Sequence, residues 1–181
     1  MKPNKDDMSD ELRPRAELWE KLMDAAGLKW DYTSILRTGL EQIAYACQGR
    51  STTEMIQFFT DHDRADICAR IQAMRKNALQ ICNLFRTEAE LKIITNADWY
   101  VITWTLKSRH LPDPQGKSNA FDFAIITNGT ETWSPKVDSN KTGGPDYDEA
   151  GRLMKQAGLT WGGLFKDKNG DPSPDRPHGQ V

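Results

Sequence analysis

With 181 residues, 38% hydrophobic and 28% charged, the chain has the composition of an ordinary globular domain and is too short for two comfortable ones. A formal net charge of -2 argues against nucleic acid as a partner, because phosphate binding needs a surplus of Lys and Arg. No run approaches the ~18 uninterrupted apolar residues of a membrane span, and residues 1–15 are too polar for a secretory signal. The expectation is a chain made in the cytoplasm, without stable membrane association.

In chain order, Leu18, Leu22, Met23 and Ala26 recur at helical spacing after Pro14 and predict a first helix over 15–26, stopped by Gly27. Thr38 and Glu41 fit a capping box that starts a second helix, ending near Gly49. Ser51 and Glu54 offer another start, leading to Phe58 and Phe59. Ile67, Ile71, Met74, Ala78, Ile81 and Phe85 form one apolar stripe and predict a long helix over 63–85. The cysteines Cys47, Cys68 and Cys82 fall on the apolar sides of these helices and read as reduced, small hydrophobes. His62 reads as a solvated loop histidine. From there the pattern changes. Residues 100–105 (YVITWT) are β-branched and aromatic and predict a strand, and 120–126 (AFDFAII) predict another that carries Asp122. A helix follows over 146–157, stopped by Gly158, and the Gly- and Pro-rich remainder holds a short closing strand near His178. Helices first and strands later make the class α+β.

The second half carries two clusters: Ser108-Arg109-His110 with Ser118 to Asp122, and Trp161-Gly162-Gly163 with Asp175-Arg176-Pro177-His178. A catalytic zinc takes three imidazole or carboxylate ligands and leaves one position open; His110, Asp122 and His178 are of that number and type. A further carboxylate must move the proton between water and leaving amine, and Asp175 stands three residues before His178. Spacing alone leaves this a weak signal, since no H-E-x-x-H helix is present.

The order S-x-H, A-x-D-F, W-G-G, D-x-P-H resembles the zinc peptidases that cleave peptidoglycan stem peptides: D-alanyl-D-alanine carboxypeptidases, dipeptidases and L-alanyl-D-glutamate endopeptidases. Upstream, Arg37-Thr38-Gly39-Leu40-Glu41-Gln42 and Gln48-Gly49-Arg50 resemble the same family's R-S/T-x-x-E-Q and Q-G-R segments. The resemblance implies a small antiparallel sheet carrying a Zn2+ site and flanked by helices, the fold shared with hedgehog domains. It also implies a single monomeric catalytic domain over 1–181 with a helical insert at about 51–96. His110, Asp122 and His178 would be the zinc ligands, Asp175 the general base and acid, and Arg37 the stabiliser of the developing oxyanion, a role worth ~3 kcal/mol in a water-poor site. Ser108 would touch substrate or support a ligand, unless it is simply a strand-end serine. Trp161 would wall the cleft, unless it is a core tryptophan.

The chain departs from that pattern in three places. The family's H-x-x-G-x-A-x-D is stretched between His110 and Asp122, with Leu-Pro-Asp-Pro-Gln inserted and Ser118 where Gly is usual. A loop absorbs such an insertion at modest entropic cost; Asp113 within it is a rival carboxylate without the strand context of Asp122. Gly179 stands where a bulky apolar residue is usual, and the 51–96 insert is far longer than the usual connection. The insert is expected to pack on the catalytic domain, the alternative being a dock for an inhibitor or second copy. Asp167, Asn169 and Asp171 hint at calcium but lack the glycine and terminal glutamate of an EF-hand, so a polar turn is expected.

Within the family, residues 158–166 and the Asp175 motif look most like the L-alanyl-D-glutamate endopeptidases of phage lysins. The implied partner is the peptidoglycan stem peptide, reached through a separate pore, in a phage of Gram-negative hosts. A D-alanyl-D-alanine carboxypeptidase or dipeptidase is the alternative, and a zinc-containing binding module without turnover is another.

Overall fold

The computed structural model describes residues 3–103, 105–167 and 169–181. Among them are six α-helices and a small antiparallel sheet of five strands, an α+β arrangement. The chain divides into two compact units: 1–36 with 109–181, and 37–108.

The first unit is built on the sheet. Strand β1 (Trp30–Ser34) and strand β2 (Ala120–Thr127) run antiparallel. A hairpin turn at Asn128 and Gly129, both at positive φ, returns the chain as β3 (Thr130–Thr132) along the far end of β2. The near end of β2 pairs with β5 (His178–Gln180), which also pairs with β4 (Thr160–Trp161). Helix α1 (Leu12–Ala25) begins three residues before the predicted start, because Pro14 lies in its first turn, where a missing N–H costs nothing. Its buried stripe is Leu12, Ala16, Trp19 and Met23, while Leu18, expected inside, is 45% exposed. Trp19 meets Phe121 and Phe123, alternate residues of β2, at ring-centroid distances of 5.1 and 4.9 Å. Its indole N–H donates to Ala150 O in α6 (Asp146–Gln156), which closes the core with Tyr147, Leu153 and Met154. Since strand side chains alternate, Asp122 leaves β2 on the face opposite this aromatic core.

The second unit is helical. Both expected capping boxes are present: Thr38 with Glu41 at α2 (Gly39–Cys47), and Ser51 with Glu54 at α3 (Thr52–Asp61). His62 is the C-cap residue of α3, stacked on Phe58 at 4.3 Å with Nδ1 2.7 Å from Phe58 O; it is not a solvated loop histidine. The expected long helix is two, α4 (Ala65–Met74) and α5 (Ala78–Glu88). Arg75 takes a left-handed conformation, and Asn77 restarts the chain with a capping box to Gln80. Ile67 and Ile71 on α4, with Ile81 and Phe85 on α5, still share one core with Phe59 and Met55. Cys47 and Cys82 are buried there, Cys68 is partly buried, and all three are free thiols.

The strand expected at 100–105 is absent from its described residues, Trp104 lying outside them. Its backbone is instead held by side chains. Arg50 donates to Thr103 O (2.7 Å) and Ala46 O (2.6 Å), Gln42 to Thr105 O (2.7 Å), and Gln48 to Asp98 O (2.7 Å). Gly49, at φ +75°, lies so close to the Tyr100–Val101 peptide that a Cβ would overlap it. The Gln48-Gly49-Arg50 segment thus serves the fold directly, clamping an irregular strap to the end of α2.

Candidate metal centre

Three side chains of the sheet unit converge. Asp122 and His178 face one another across the β2–β5 pair, and His110 arrives from the loop before β2. Asp122 Oδ1 lies 3.0 Å from His178 Nδ1 and 3.2 Å from His110 Nε2, and the two imidazole nitrogens are 3.3 Å apart. His110 and His178 are buried and Asp122 nearly so.

The partners of the other imidazole nitrogens decide what faces this point. His110 Nδ1 is 2.7 Å from Ile35 O, a carbonyl that can only accept, so Nδ1 carries the proton and Nε2 of the neutral ring presents a lone pair. His178 Nε2 donates in the same way to Gln180 Oε1 at 3.0 Å, which turns the lone pair of Nδ1 inward. Two imidazole lone pairs and a carboxylate oxygen are therefore gathered at one place. Such a donor set fits a metal ion, with the outer bonds fixing tautomer and ring orientation. Without a metal, a proton is the available substitute. Burial opposes the charged form of His178, but the Asp122 hydrogen bond and charge, the Asp175 charge and the Gln180 bond together outweigh it and raise the pKa.

The stretched step between His110 and Asp122 is closed at its base. Asn119 N–H donates to Arg109 O at 3.0 Å, so the residues between them form a side loop while His110 and Asp122 still meet. Inside it, Asp113 Oδ1 accepts the N–H groups of Gln115 and Lys117, both at 2.9 Å, and thereby holds its own turn. Ser118, fully buried, sets its hydroxyl 2.8 Å from Ile35 O and 2.7 Å from Ala120 O, linking the His110 partner to the start of β2. Ile35 and Gln180 carry no motif that sequence reasoning could single out; their part is set by a backbone carbonyl and a pairing register far along the chain.

Asp175 is exposed; its N–H donates to Gly162 O (2.9 Å) and its carbonyl accepts from His178 N–H (3.1 Å). A Cβ on Gly162 would overlap Asp175 O and press on His178 Cβ at 2.9 Å, which explains one glycine of the Trp-Gly-Gly run. Trp161 lies against Gly151 and Gly163, and its indole N–H donates to Arg176 O at 2.8 Å. It is thus a packed strut for the loop that delivers Asp175 and His178. Gly179 leaves room for Phe121 and Met154, which lie 2.8 and 3.0 Å from where its Cβ would be. Arg37 and Ser108 are the first and last residues of the helical unit; the Arg37 guanidinium lies 5.1 Å from the Tyr45 ring centroid. Asp167 Oδ1 accepts the N–H groups of Asn169 and Asp171, the hydrogen bonding of a polar turn.

No protein-family model, curated protein or solved structure matches this chain. Among the described residues no helix is long and apolar enough to cross a membrane.

Proposed function

We propose that the chain is a zinc-dependent peptidoglycan peptidase of the L-alanyl-D-glutamate endopeptidase type, acting on the stem peptide. The observation that carries this reading is the convergence of His110 Nε2, His178 Nδ1 and Asp122 Oδ1, the residues that the order of the sequence motifs singles out. Tetrahedral zinc with bonds of about 2.0–2.1 Å separates neighbouring ligand atoms by about 3.3–3.4 Å. The separations of 3.0, 3.2 and 3.3 Å support that ion.

When bound, zinc would lower the pKa of a water molecule and polarise the scissile carbonyl. The chain supplies the proton traffic: Asp175, exposed and close enough for its charge to act on His178, takes a proton from water and returns it to the leaving amine. Ile35 O and Gln180 hold the two rings in the tautomers that keep their inward nitrogens bare. The roles of Arg37 in steadying the oxyanion and of Ser108 at the substrate rest on the resemblance alone.

Mass analysis of purified muropeptides after digestion tests the proposal. Cleavage between L-alanine and D-glutamate is expected, lost with a chelator and restored by zinc. Asp175→Ala should keep the metal yet slow turnover by a factor on the order of 10²–10⁴. Release of terminal D-alanine would instead assign the chain to the carboxypeptidases, and undiminished lysis of outer-membrane-permeabilised cells by Asp175→Ala would remove the proposed mechanism.

A further inference from the structure

The loop leading into α6 holds a second, chemically different arrangement. Residues 138–149 read D-S-N-K-T-G-G-P-D-Y-D-E. Twelve-residue calcium loops place oxygen ligands at the first, third, fifth, seventh, ninth and twelfth positions, with a backbone carbonyl at the seventh, glycine at the sixth and glutamate at the last. Counted from Asp138, those ligand positions are Asp138, Asn140, Thr142, Gly144, Asp146 and Glu149, and the sixth is Gly143. The one departure from the usual pattern, Thr142 for Asp or Asn, keeps an oxygen.

The local geometry agrees with the spacing. Gly143 sits at φ +87°. Asp138 Oδ1 accepts Thr142 N–H at 3.0 Å and its Oδ2 accepts Gly143 N–H at 3.1 Å. Thr142 Oγ1 lies 3.0 Å from Asn140 Oδ1 and 3.3 Å from Glu149 Oε2, so the side chains of the third, fifth and twelfth positions are already gathered. What points to a ligand is Asp146. It is fully buried, and Ser139 satisfies its Oδ2 through N–H (2.8 Å) and O–H (2.6 Å), while among the described residues its Oδ1 has no hydrogen-bond partner. A buried carboxylate oxygen without a donor is a place for a cation.

We propose that residues 138–149 form a calcium site, separate from the His110–Asp122–His178 group and independent of the reaction assigned to it. The donors are all oxygens, which suits a hard cation of flexible coordination, whereas Mg2+ demands a tighter octahedron and keeps its waters. Calcium there would join the segment after β3 to the first turn of α6. Through the Asn140 side chain, which donates to Ala26 O at 3.1 Å, it would also brace the end of α1.

The test uses the full chain, stripped of metal, and titrates Ca2+ and Mg2+ separately by calorimetry and thermal melting. Terbium luminescence sensitised through Tyr147, which follows Asp146 in the chain, serves as a second readout. One Ca2+ should bind and raise the Tm, with Mg2+ at least about tenfold weaker. Glu149→Gln, a near-isosteric change on a partly exposed side chain, should weaken Ca2+ at least about tenfold, and Asp138→Ala likewise. His178→Ala should leave Ca2+ binding unchanged. The proposal fails if the wild type takes up no Ca2+ at millimolar concentration, or if Mg2+ binds as tightly. It also fails if binding survives both loop variants but disappears in Asp167→Ala or His178→Ala.

Discussion

In the sheet unit the backbone of β2 is paired on both edges by other strands, whereas in the helical unit the strap at 92–103 is held by side chains. Besides Gln42, Gln48 and Arg50, the strap is held by Arg86, which donates to Lys92 O at 2.6 Å, and by Asn83, which bonds both N–H and C=O of Ile94 at 2.9 Å. Both devices answer one requirement, that buried backbone polar groups find partners. They differ in where the information sits. A strand pair spreads it over a ladder and needs apolar faces to hold the layers together; the strap concentrates it in a few long polar side chains that can be removed one at a time.

The largest effect is expected where the sheet unit depends on packing. Trp19→Ala removes the side chain that joins α1, β2 and α6, and should cost about 3–5 kcal/mol in urea denaturation. A loss below ~1 kcal/mol would mean that the aromatic cluster is not the keystone of that unit. Smaller, and different in kind, is Arg50→Met. It keeps much of the apolar stem but leaves the carbonyls of Ala46 and Thr103 without their donor, for an expected cost of about 1–3 kcal/mol. Hydrogen exchange should show the released amides at 98–105 and around the end of α2; unchanged protection there would undo the clamp.

The smallest effect is a pH dependence that separates the units. Burial pushes the Cys82 thiol up to about 11, with Arg86 opposing, and burial together with neighbouring Cys82 pushes Cys47 higher still, with Arg50 opposing. Below the unfolded thiol value both states carry the proton and stability is intact. As pH rises from about 9 toward 11 the unfolded chain loses its protons first, so stability falls. Tyr32 of the sheet unit, held up by burial and by Glu20, adds a loss of the same sign but starting from its higher ordinary value. Urea midpoints measured from pH 8 upward should therefore decline first through the thiols, and Cys82→Ala should flatten the early part of that decline. An unchanged early slope in that variant would sever the link to the helical core.

What can be read from the sequence is what is local. The Thr38–Glu41 and Ser51–Glu54 boxes are three-residue signals, and α2 and α3 start where they indicate. The break between α4 and α5 escapes because the apolar stripe continues in step across Asn77, masking an equally local capping box. Residues 100–105 have strand composition, but their partners are polar side chains about 50–60 positions earlier in the chain, which no window can see. Strand β1 escapes for the same reason: five residues whose identity depends on β2, far along the chain. The candidate metal group can be picked out in the sequence as an ordered set of motifs, yet its supports cannot, because Ile35 acts through a carbonyl and Gln180 through a pairing register. The 138–149 loop carries its spacing in the sequence itself, with Gly143 sixth and Glu149 twelfth, which the turn at Asp167 lacks; what the sequence does not show is the burial of Asp146.

The bond between Arg109 O and Asn119 N–H has a practical corollary. It makes the stretch from Leu111 to Lys117 behave like a tied-off bight in a rope, whose length is isolated from the load on either side. A peptide tag or reporter could be spliced there, or the stretch trimmed, with the spacing of His110 and Asp122 in space left as it is. Distance along the chain and the distance between His110 and Asp122 are, at this one knot, separate design variables.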